Sequence, residues 1–311
     1  MKILLTGASS FSGTWFANAL AKAGHEVVAI FRGTPESYRD VRGKRVGLIR
    51  SVVDTRWETV FGDSGFIDLL KHGRFDLICH HASEVAEYRS WDFNPIAAAQ
   101  KNMREVRSIL SIAKSSGCRG FIYTGTVFEP FEGLGDSEQR AFNPYGLSKH
   151  MSFEILRMEA QRVDFPIGKF VIPNPFGPFE EPRFTSYLAR EWAAGRVPKV
   201  STPHYVRDNI HVSLLSLAYR KFCEKFDSDI PVTRCAPCGY IESQGSFAHR
   251  LAREIGGRCG RPCALDIGEQ LDYAEPMFRT NAQHLHPTPD EWNVDDAWDA
   301  LTNYYHEAYD L

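Results

Sequence analysis

The stretch Met1-Lys-Ile-Leu-Leu-Thr-Gly-Ala-Ser-Ser-Phe-Ser-Gly13 constrains the fold more than any other part of the chain. An apolar strand candidate, Ile3-Leu4-Leu5, runs into Thr6-Gly7, and Gly13 opens a helical stretch with Trp15, Phe16, Ala17, Ala19 and Leu20. Gly24 supplies the left-handed residue that stops such a helix, and a second apolar run, Val27 to Phe31, follows at once. Strand, glycine-bearing turn, helix and strand make a βαβ unit whose helix N-terminus and backbone amides suit a pyrophosphate. Ser10 stands where a dinucleotide-binding loop is expected to carry its middle glycine. A side chain there crowds a phosphate, and its hydroxyl is placed to donate to a phosphate oxygen.

The alternation continues along the chain. Phe75 to Cys79 reads as a strand that ends in His80-His81-Ala82-Ser83, and a single helix is expected from about 95 to 115, stopping near Gly117. A strand over Gly120 to Tyr123 ends in Thr124-Gly125-Thr126, a helix runs from about 145 to 163, and Lys169 to Ile172 is a strand. Strands separated by helices predict a Rossmann-type α/β fold, a doubly wound parallel sheet with ligands beyond the carboxyl ends of its strands. Pro173, Pro175, Pro178, Pro182, Pro198 and Pro203 then break the pattern. The expected organisation is a dinucleotide-binding domain over 1–172, with a return segment near 205–235. A smaller C-terminal lobe, mainly substrate-binding, takes 173–311.

Composition narrows the partners. A net charge of −3 gives no footprint for nucleic acid, and no basic tract or amphipathic basic helix points to a membrane surface. No apolar run approaches the ~18 residues of a membrane span. The first strand begins at residue 2, so no signal peptide is expected and the chain reads as cytoplasmic. The seven cysteines are an odd number, consistent with reduced thiols. Cys235-x2-Cys238 and Cys259-x3-Cys263 resemble the halves of a zinc site. Cys235 falls at a strand end, however, and Gly260, Arg261 and Pro262 split the second pair, so no metal is expected.

Asn143-Pro-Tyr145-Gly-Leu-Ser-Lys149 carries acid/base chemistry. Tyr145 and Lys149 are four apart at a helix start and project from one face. A nearby ammonium, together with a nicotinamide cation, favours the phenolate and brings tyrosine down from its ordinary value near 10. Such a tyrosine passes a proton to or from an alcohol or carbonyl oxygen while hydride moves at the attached carbon.

With these residues in place, the chain resembles the extended short-chain dehydrogenases/reductases, the NAD(P)-dependent nucleotide-sugar epimerase/dehydratase family, over nearly its whole length. The matching segments fall in family order: Thr6-Gly7 to Gly13, Gly62-Asp63, His81-Ala82, Asn102, Thr124 three residues before Val127-Phe128, and Tyr145 with Lys149. Asn174-Pro-Phe-Gly177-Pro178 and Val206-Arg207-Asp208-Asn-Ile-His211-Val212 complete the series. The resemblance implies that Gly7, Ser9, Ser10, Phe11, Gly13, Arg32, Asp63, Ser64, His81, Ala82, Ser83, Asn102, Tyr145 and Lys149 hold the cofactor, Asp63 at its adenine. It implies Thr124 as the partner of the reacting sugar oxygen, Tyr145 as acid/base, and Lys149 on the nicotinamide ribose. Thr126, Asn174, Arg207 and, more weakly, Arg279 contact a nucleoside-diphosphate sugar. A guanidinium suits a diphosphate because its fork makes bidentate, charge-assisted bonds; standing alone, Arg207 reads equally as a surface partner of Asp208.

Three departures shape the functional expectation. Ser10 replaces a glycine, Phe128-Glu129 stands where relatives often carry Tyr-Gly, and the second strand ends in Phe31-Arg32 without an acid. A carboxylate there serves the ribose 2′-hydroxyl of NAD, whereas an arginine pairs with the 2′-phosphate of NADP, so NADP(H) is expected, with NAD(H) as the alternative. Arg39, Arg42, Lys44 and Arg45 add positive charge on what otherwise reads as a solvated helix face. Relatives that eliminate water place an Asp and a Glu after the catalytic threonine; this chain has Gly125 and Thr126, with Glu129 nearby. The expected reaction is therefore NADPH-dependent reduction of a keto group, at C4, on a nucleoside-diphosphate deoxy sugar. A nucleotide-sugar 4-epimerase and a non-catalytic dinucleotide sensor are the alternatives. Helices near 95–115 and 145–163 carry apolar residues on more than one side, among them Ile96, Ile155 and Met158, and the resemblance implies a homodimer built on them.

Overall fold

The computed structural model describes residues 1–135 and 140–311. In chain order the elements are β1 (Lys2–Thr6), α1 (Phe11–Lys22), β2 (Glu26–Ile30), α2 (Asp40–Ile49), β3 (Asp54–Arg56), α3 (Ser64–Gly73) and β4 (Leu77–His80). Then come α4 (Pro95–Asn102), α5 (Val106–Ser115), β5 (Gly120–Thr126), β6 (Leu134–Gly135), α6 (Pro144–Val163), β7 (Ile167–Ile172), β8 (Asn174–Phe176) and α7 (Phe184–Ala193). The rest comprises β9 (Lys199–Val200), β10 (Val206–His211), α8 (Val212–Glu224), β11 (Val232–Cys235), β12 (Tyr240–Ser243), α9 (Gln244–Cys259), β13 (Asp266–Ile267), β14 (Phe278–Thr280) and α10 (Val294–Tyr309).

The chain divides into two compact units. The first takes the chain up to Glu132, resumes ahead of α6, closes at Ile172 and recovers Ser216–Ala236. Its seven strands run β11-β7-β5-β4-β1-β2-β3, all parallel. Strand order reverses between β1 and β4, and such a switch point opens a crevice beyond the strand ends, here at Gly7 and His81. Helices on both faces explain why β5 and β7 are buried at every position. On one face Leu4, Ile78, Phe121 and Tyr123 pack with Phe66, Leu110 and Leu156 of α3, α5 and α6. On the other, Phe16 of α1 stacks on Tyr219 of α8 at 3.9 Å, and Phe170 of β7 meets both rings edge-on.

The second unit includes β6, Pro173–Leu215 and Pro237–Leu311. Its main sheet runs β12-β10-β14-β6, with β8 also on β10. Phe176, Leu188, Trp192, Phe247, Leu251, Trp298 and Tyr305 form its core.

Three local expectations change. The helix after Gly7 begins at Phe11, not Gly13, because the Ser10 side chain caps it by accepting from the Gly13 amide. The single helix over 95–115 is two. In a continuous helix the Asn102 carbonyl goes to the Val106 amide; here it bonds His80 Nε2 at 3.0 Å, Val106 N turns to Met103 O, and Glu105 adopts φ 56°. Arg45 is not on a solvated face: it is fully buried, with its guanidinium 5.8 Å from the Phe11 ring centroid, while Arg39, Arg42 and Lys44 are exposed.

Candidate active site

The site is built first from the β1–α1 turn. Gly7 has φ +77° and a Cβ there would lie 2.7 Å from Ala82 N, so only glycine lets β1 pass β4 this closely. A Cβ on Gly13 would lie 2.2 Å from Gly7 O, which fixes the second glycine for packing. Ser10 Oγ donates to Gly7 O at 2.8 Å and accepts from Gly13 N, with His81 Nε2 3.0 Å away. The serine hydroxyl is thus turned into the loop instead of offering its proton to a phosphate. Among the described residues no acceptor takes the amides of Phe11 and Ser12, which, at the positive end of α1, makes the turn fit a pyrophosphate. Ser9 lies in the same turn.

Beneath this turn runs a directed hydrogen-bond chain. Ala82 N donates to Thr6 Oγ1 at 2.9 Å, Thr6 Oγ1 lies 3.0 Å from His80 Nδ1, and His80 Nε2 reaches the Asn102 carbonyl. A carbonyl only accepts, so Nε2 carries the proton and Nδ1 accepts from Thr6. His80 is held neutral, down at about 3, by burial and then by the Lys149 charge, and His81 is lowered to about 3 for the same reasons. Asn102 Oδ1 accepts from Glu84 N, and its Nδ2 donates to Ser83 Oγ and Ser152 Oγ. One asparagine thereby ties the exit of β4 to α6.

At the end of β2, Phe31 stacks on Trp57 at 4.5 Å and meets Tyr38 edge-on. Arg32 follows, exposed. Burial pushes the Glu84 carboxyl up, but the Ala86 amide, Lys101 and, least, the Arg32 charge together hold it below its usual range. Asp63 caps α3: Oδ1 accepts from Phe66 N and Oδ2 from Val60 N, each at 2.7 Å. Ser64 opens that helix.

Helix α6 sets the acid/base pair. Asn143 caps it and Pro144 occupies its first position, where a missing amide costs nothing. Tyr145 follows, its ring flanked edge-on by Tyr88 at 5.4 Å and Phe93 at 6.1 Å from the β4–α4 segment. One turn on, Lys149 is 2 % exposed, with Nζ 4.2 Å from the Tyr123 ring centroid. A Cβ on Gly146 would sit 2.1 Å from Phe128 O, so this glycine lets the helix start press on the segment leaving β5.

The two threonines of β5 lie two residues apart and share one face of the strand. Thr124 is in register with Phe170, and partners in a parallel pair share a face, so Thr124 points with Phe170 toward Tyr219. Tyr123 points to the opposite face, where Lys149 lies. Thr124 Oγ1 is sealed from solvent, with the Tyr219 hydroxyl beside it. Thr126 ends the strand, 8 % exposed. Glu129 is fully buried, taking the Thr126 amide on Oε1 at 2.8 Å and the Lys169 ammonium on Oε2 at 2.6 Å.

The remaining predicted residues belong to the second unit. Asn174 pairs with Asn209 across β8 and β10 and donates to Asp208 O. Arg207 lies beside Arg279 in the β10–β14 register. Arg207 pairs not with Asp208 but with Glu275 at 2.8 Å, its guanidinium over the Tyr205 ring; Asp208 is buried, and Arg279 is 2 % exposed. Burial pushes the thiols of Cys235 up to about 12 and of Cys238 and Cys263 to about 11, so they stay protonated at neutral pH.

Sequence reading missed His80, Ser152, Tyr88 and Phe93. Ser152 lies one turn past Lys149 and was within reach of helical spacing; Tyr88 and Phe93 sit in a segment with no periodicity to read.

The profile of the NAD dependent epimerase/dehydratase family matches residues 3–231. The chain belongs to that family. It is an NAD(P)-dependent enzyme of the extended short-chain dehydrogenase/reductase type. It is 25 % identical over 214 residues to a UDP-glucose 4-epimerase of Mycolicibacterium smegmatis, covering 64 % of this chain and 66 % of that protein. To a 2-alkyl-3-oxoalkanoate reductase of Stenotrophomonas maltophilia it is 26 % identical over 258 residues, 79 % of this chain and 71 % of the relative. The UDP-glucuronic acid 4-epimerase of Bacillus cereus, solved with UDP-glucuronic acid and NAD, shares the fold. It superposes with a TM-score of 0.72 at 17 % identity, over 99 % of this chain and 100 % of that one. No helix among the described residues is long and apolar enough to cross a membrane.

Proposed function

We propose that this enzyme uses NADPH to reduce a keto group, at C4, on a nucleoside-diphosphate deoxy sugar. The observation that carries the choice is the exposed Arg32 at the end of β2, where no carboxylate stands to repel a 2′-phosphate. The cofactor supplies hydride to the carbonyl carbon. Tyr145 gives its phenolic proton to the oxygen, Lys149 holds the nicotinamide ribose and favours the phenolate that results, and the hydroxyl of Thr126 orients the oxygen. Thr126 is preferred to Thr124 for this contact because it lies at the end of β5 and is partly open, whereas Thr124 Oγ1 is sealed from solvent. Asp63, Ser64, His81, Ala82, Ser83 and Asn102 line the dinucleotide, and Asn174, Arg207 and Arg279 serve the substrate diphosphate, for which Arg207 must exchange Glu275.

Dehydration is disfavoured. It needs a carboxyl pair beside the sugar, and Glu129 is locked between Lys169 and the Thr126 amide. A 4-epimerase is the second reading, supported by the M. smegmatis and B. cereus relatives; the S. maltophilia relative supports reduction. To separate them, nucleoside-diphosphate 4-keto-6-deoxy-hexoses are mixed with NADPH and loss of reduced nicotinamide is followed. Saturated nucleoside-diphosphate hexoses are then incubated with the enzyme and separated by chromatography. Stoichiometric NADPH oxidation supports the reductase; interconversion of saturated sugars without net cofactor use replaces it with the epimerase.

A further inference from the structure

A buried charge cluster lies behind the acid/base helix. Lys169, at the middle of β7, is 4 % exposed, and its Nζ contacts Glu129 Oε2 at 2.6 Å and Glu132 Oε1 at 2.8 Å, 4.3 Å from the Phe153 ring centroid of α6. Glu132 also pairs with Arg234 of β11. Three buried charges, with the exposed Arg234 at their edge, are costly to desolvate, and apolar residues of similar volume would often be as stable, so stability alone explains the cluster poorly.

Its geometry points at the site. Glu129 Oε1 holds the amide of Thr126, the last residue of β5, and the Glu129 amide returns to Thr126 O. The same short segment presents Phe128 O to Gly146, next to Tyr145. Gly125 is kept side-chain-free by the cluster, since a Cβ would lie 2.7 Å from Glu129 Oε1 and 2.8 Å from Lys169 Cε. We propose that Glu129 and Lys169 are a positioning pair that clamps the end of β5 against the first turn of α6 and sets the electrostatic field at the Lys149 ammonium.

The groups facing Lys149 allow the field to be read. His80 and His81 at the end of β4 are neutral, Tyr123 of β5 offers its ring, and Tyr145 shares the helix. Among the described residues, Glu129 and Lys169 are the charged groups that act on Lys149, one of each sign. Burial brings the Lys149 ammonium down to about 8; Glu129 opposes that fall and Lys169 adds to it. Removing either charge therefore moves Lys149 in opposite directions, which a purely mechanical clamp does not do.

The inference rests on the proposed role of Lys149 only for its effect on turnover, and its test needs no substrate. Protein carrying 13C-lysine is titrated by NMR, with the Lys149 Cε resonance assigned by its loss in Lys149→Arg. In Glu129→Gln the Lys149 midpoint is expected to fall, and in Lys169→Met to rise, each by about half a pH unit or more. In the double variant the midpoint is expected back near that of the wild type. Shifts of the same sign, or none, overturn the proposal and leave the cluster a structural feature. Both single variants keep partners: Glu132 remains for Lys169 in Glu129→Gln, while in Lys169→Met the Thr126 amide and Arg234 remain for the two carboxylates. If one variant fails to fold, the sign in the other decides. With an active substrate in hand, the alkaline limb of kcat/KM is expected to move with the Lys149 midpoint in each variant. An inactive enzyme with intact opposite shifts refutes the proposed reaction and not the pair.

Discussion

Lys149 and Tyr123 hold each other at two points: the ammonium lies over the ring, 4.2 Å from its centroid, and the Tyr123 hydroxyl donates to the Lys149 carbonyl at 3.0 Å. The contact gives a desolvated cation a quadrupole to rest on, replacing part of its lost hydration. It also joins β5 to α6, so the strand end and the acid/base helix move as one body.

The first prediction concerns pH. Burial lowers Lys149 from 10.5 to about 8, so between those values the folded protein has released a proton that the unfolded chain still binds. Stability from this group therefore rises with pH across that window, while the ammonium that supports Tyr145 is lost. Turnover is expected to fall as pH rises through about 8 even though this group's contribution to the thermal midpoint increases. Lys149→Met should remove that contribution to the midpoint and cost on the order of 100-fold or more in kcat. Parallel pH series of melting and of initial rate check both halves.

A second prediction addresses the cofactor. Arg32→Ala is expected to weaken NADPH binding by about 10- to 150-fold, from the roughly 1.5–3 kcal/mol of a charge-assisted bond, and to leave NADH binding nearly unchanged. Dissociation constants for both cofactors in wild type and variant measure this. Equal affinities in the wild type would remove the basis for an NADPH-dependent reaction.

The sheet was legible because Ile3-Leu4-Leu5, Val27 to Phe31 and Phe121-Ile-Tyr123 are continuous apolar runs, the pattern of strands buried on both faces. The glycine turn and the Tyr145/Lys149 spacing were legible because local backbone geometry demands those residue types. What did not show was anything decided by side chains distant in sequence. The break after Asn102 is made by His80, 22 residues earlier. The orientation of Thr124 depends on its register with Phe170, and spacing from Val127 carries no information about that. Glu129 looked like a spare carboxylate until Lys169, 40 residues on, was found against it.

A third prediction concerns assembly, for which we propose a homodimer. Ile96 of α4 is 68 % exposed, and Met158 and Ile155 of α6 are 56 % and 38 % exposed. These apolar groups lie on the first unit outside its core, and a helix with an apolar side turned to water is expected to find a partner. Light scattering is expected to give twice the 35.2 kDa chain mass, and Met158→Glu to shift it toward a single chain. A wild-type mass of one chain at micromolar concentration would exclude the dimer.

The last prediction tests the second unit. Asp208 is buried between β12 and β14, with Oδ1 accepting from Gly239 N at 2.8 Å and Oδ2 from Asn281 N at 3.3 Å. Burial raises its carboxyl from 3.8 to about 7, and the two amides only partly offset this. A raised acid binds more protons folded than unfolded between those values, so its contribution to stability is full below 3.8 and is lost as pH rises through about 7. In Asp208→Asn one oxygen survives as an acceptor, but the other position becomes an NH2 group facing a backbone N–H. That leaves a buried donor unpaired, at a cost of about 1–3 kcal/mol. The variant should therefore melt well below the wild type at about pH 5, and the gap should narrow by about pH 8, because the wild type loses a contribution that the variant never had. Thermal midpoints at the two pH values decide it. A gap that stays constant would mean that the Asp208 carboxylate is ionised throughout, held by its two amides against the cost of burial.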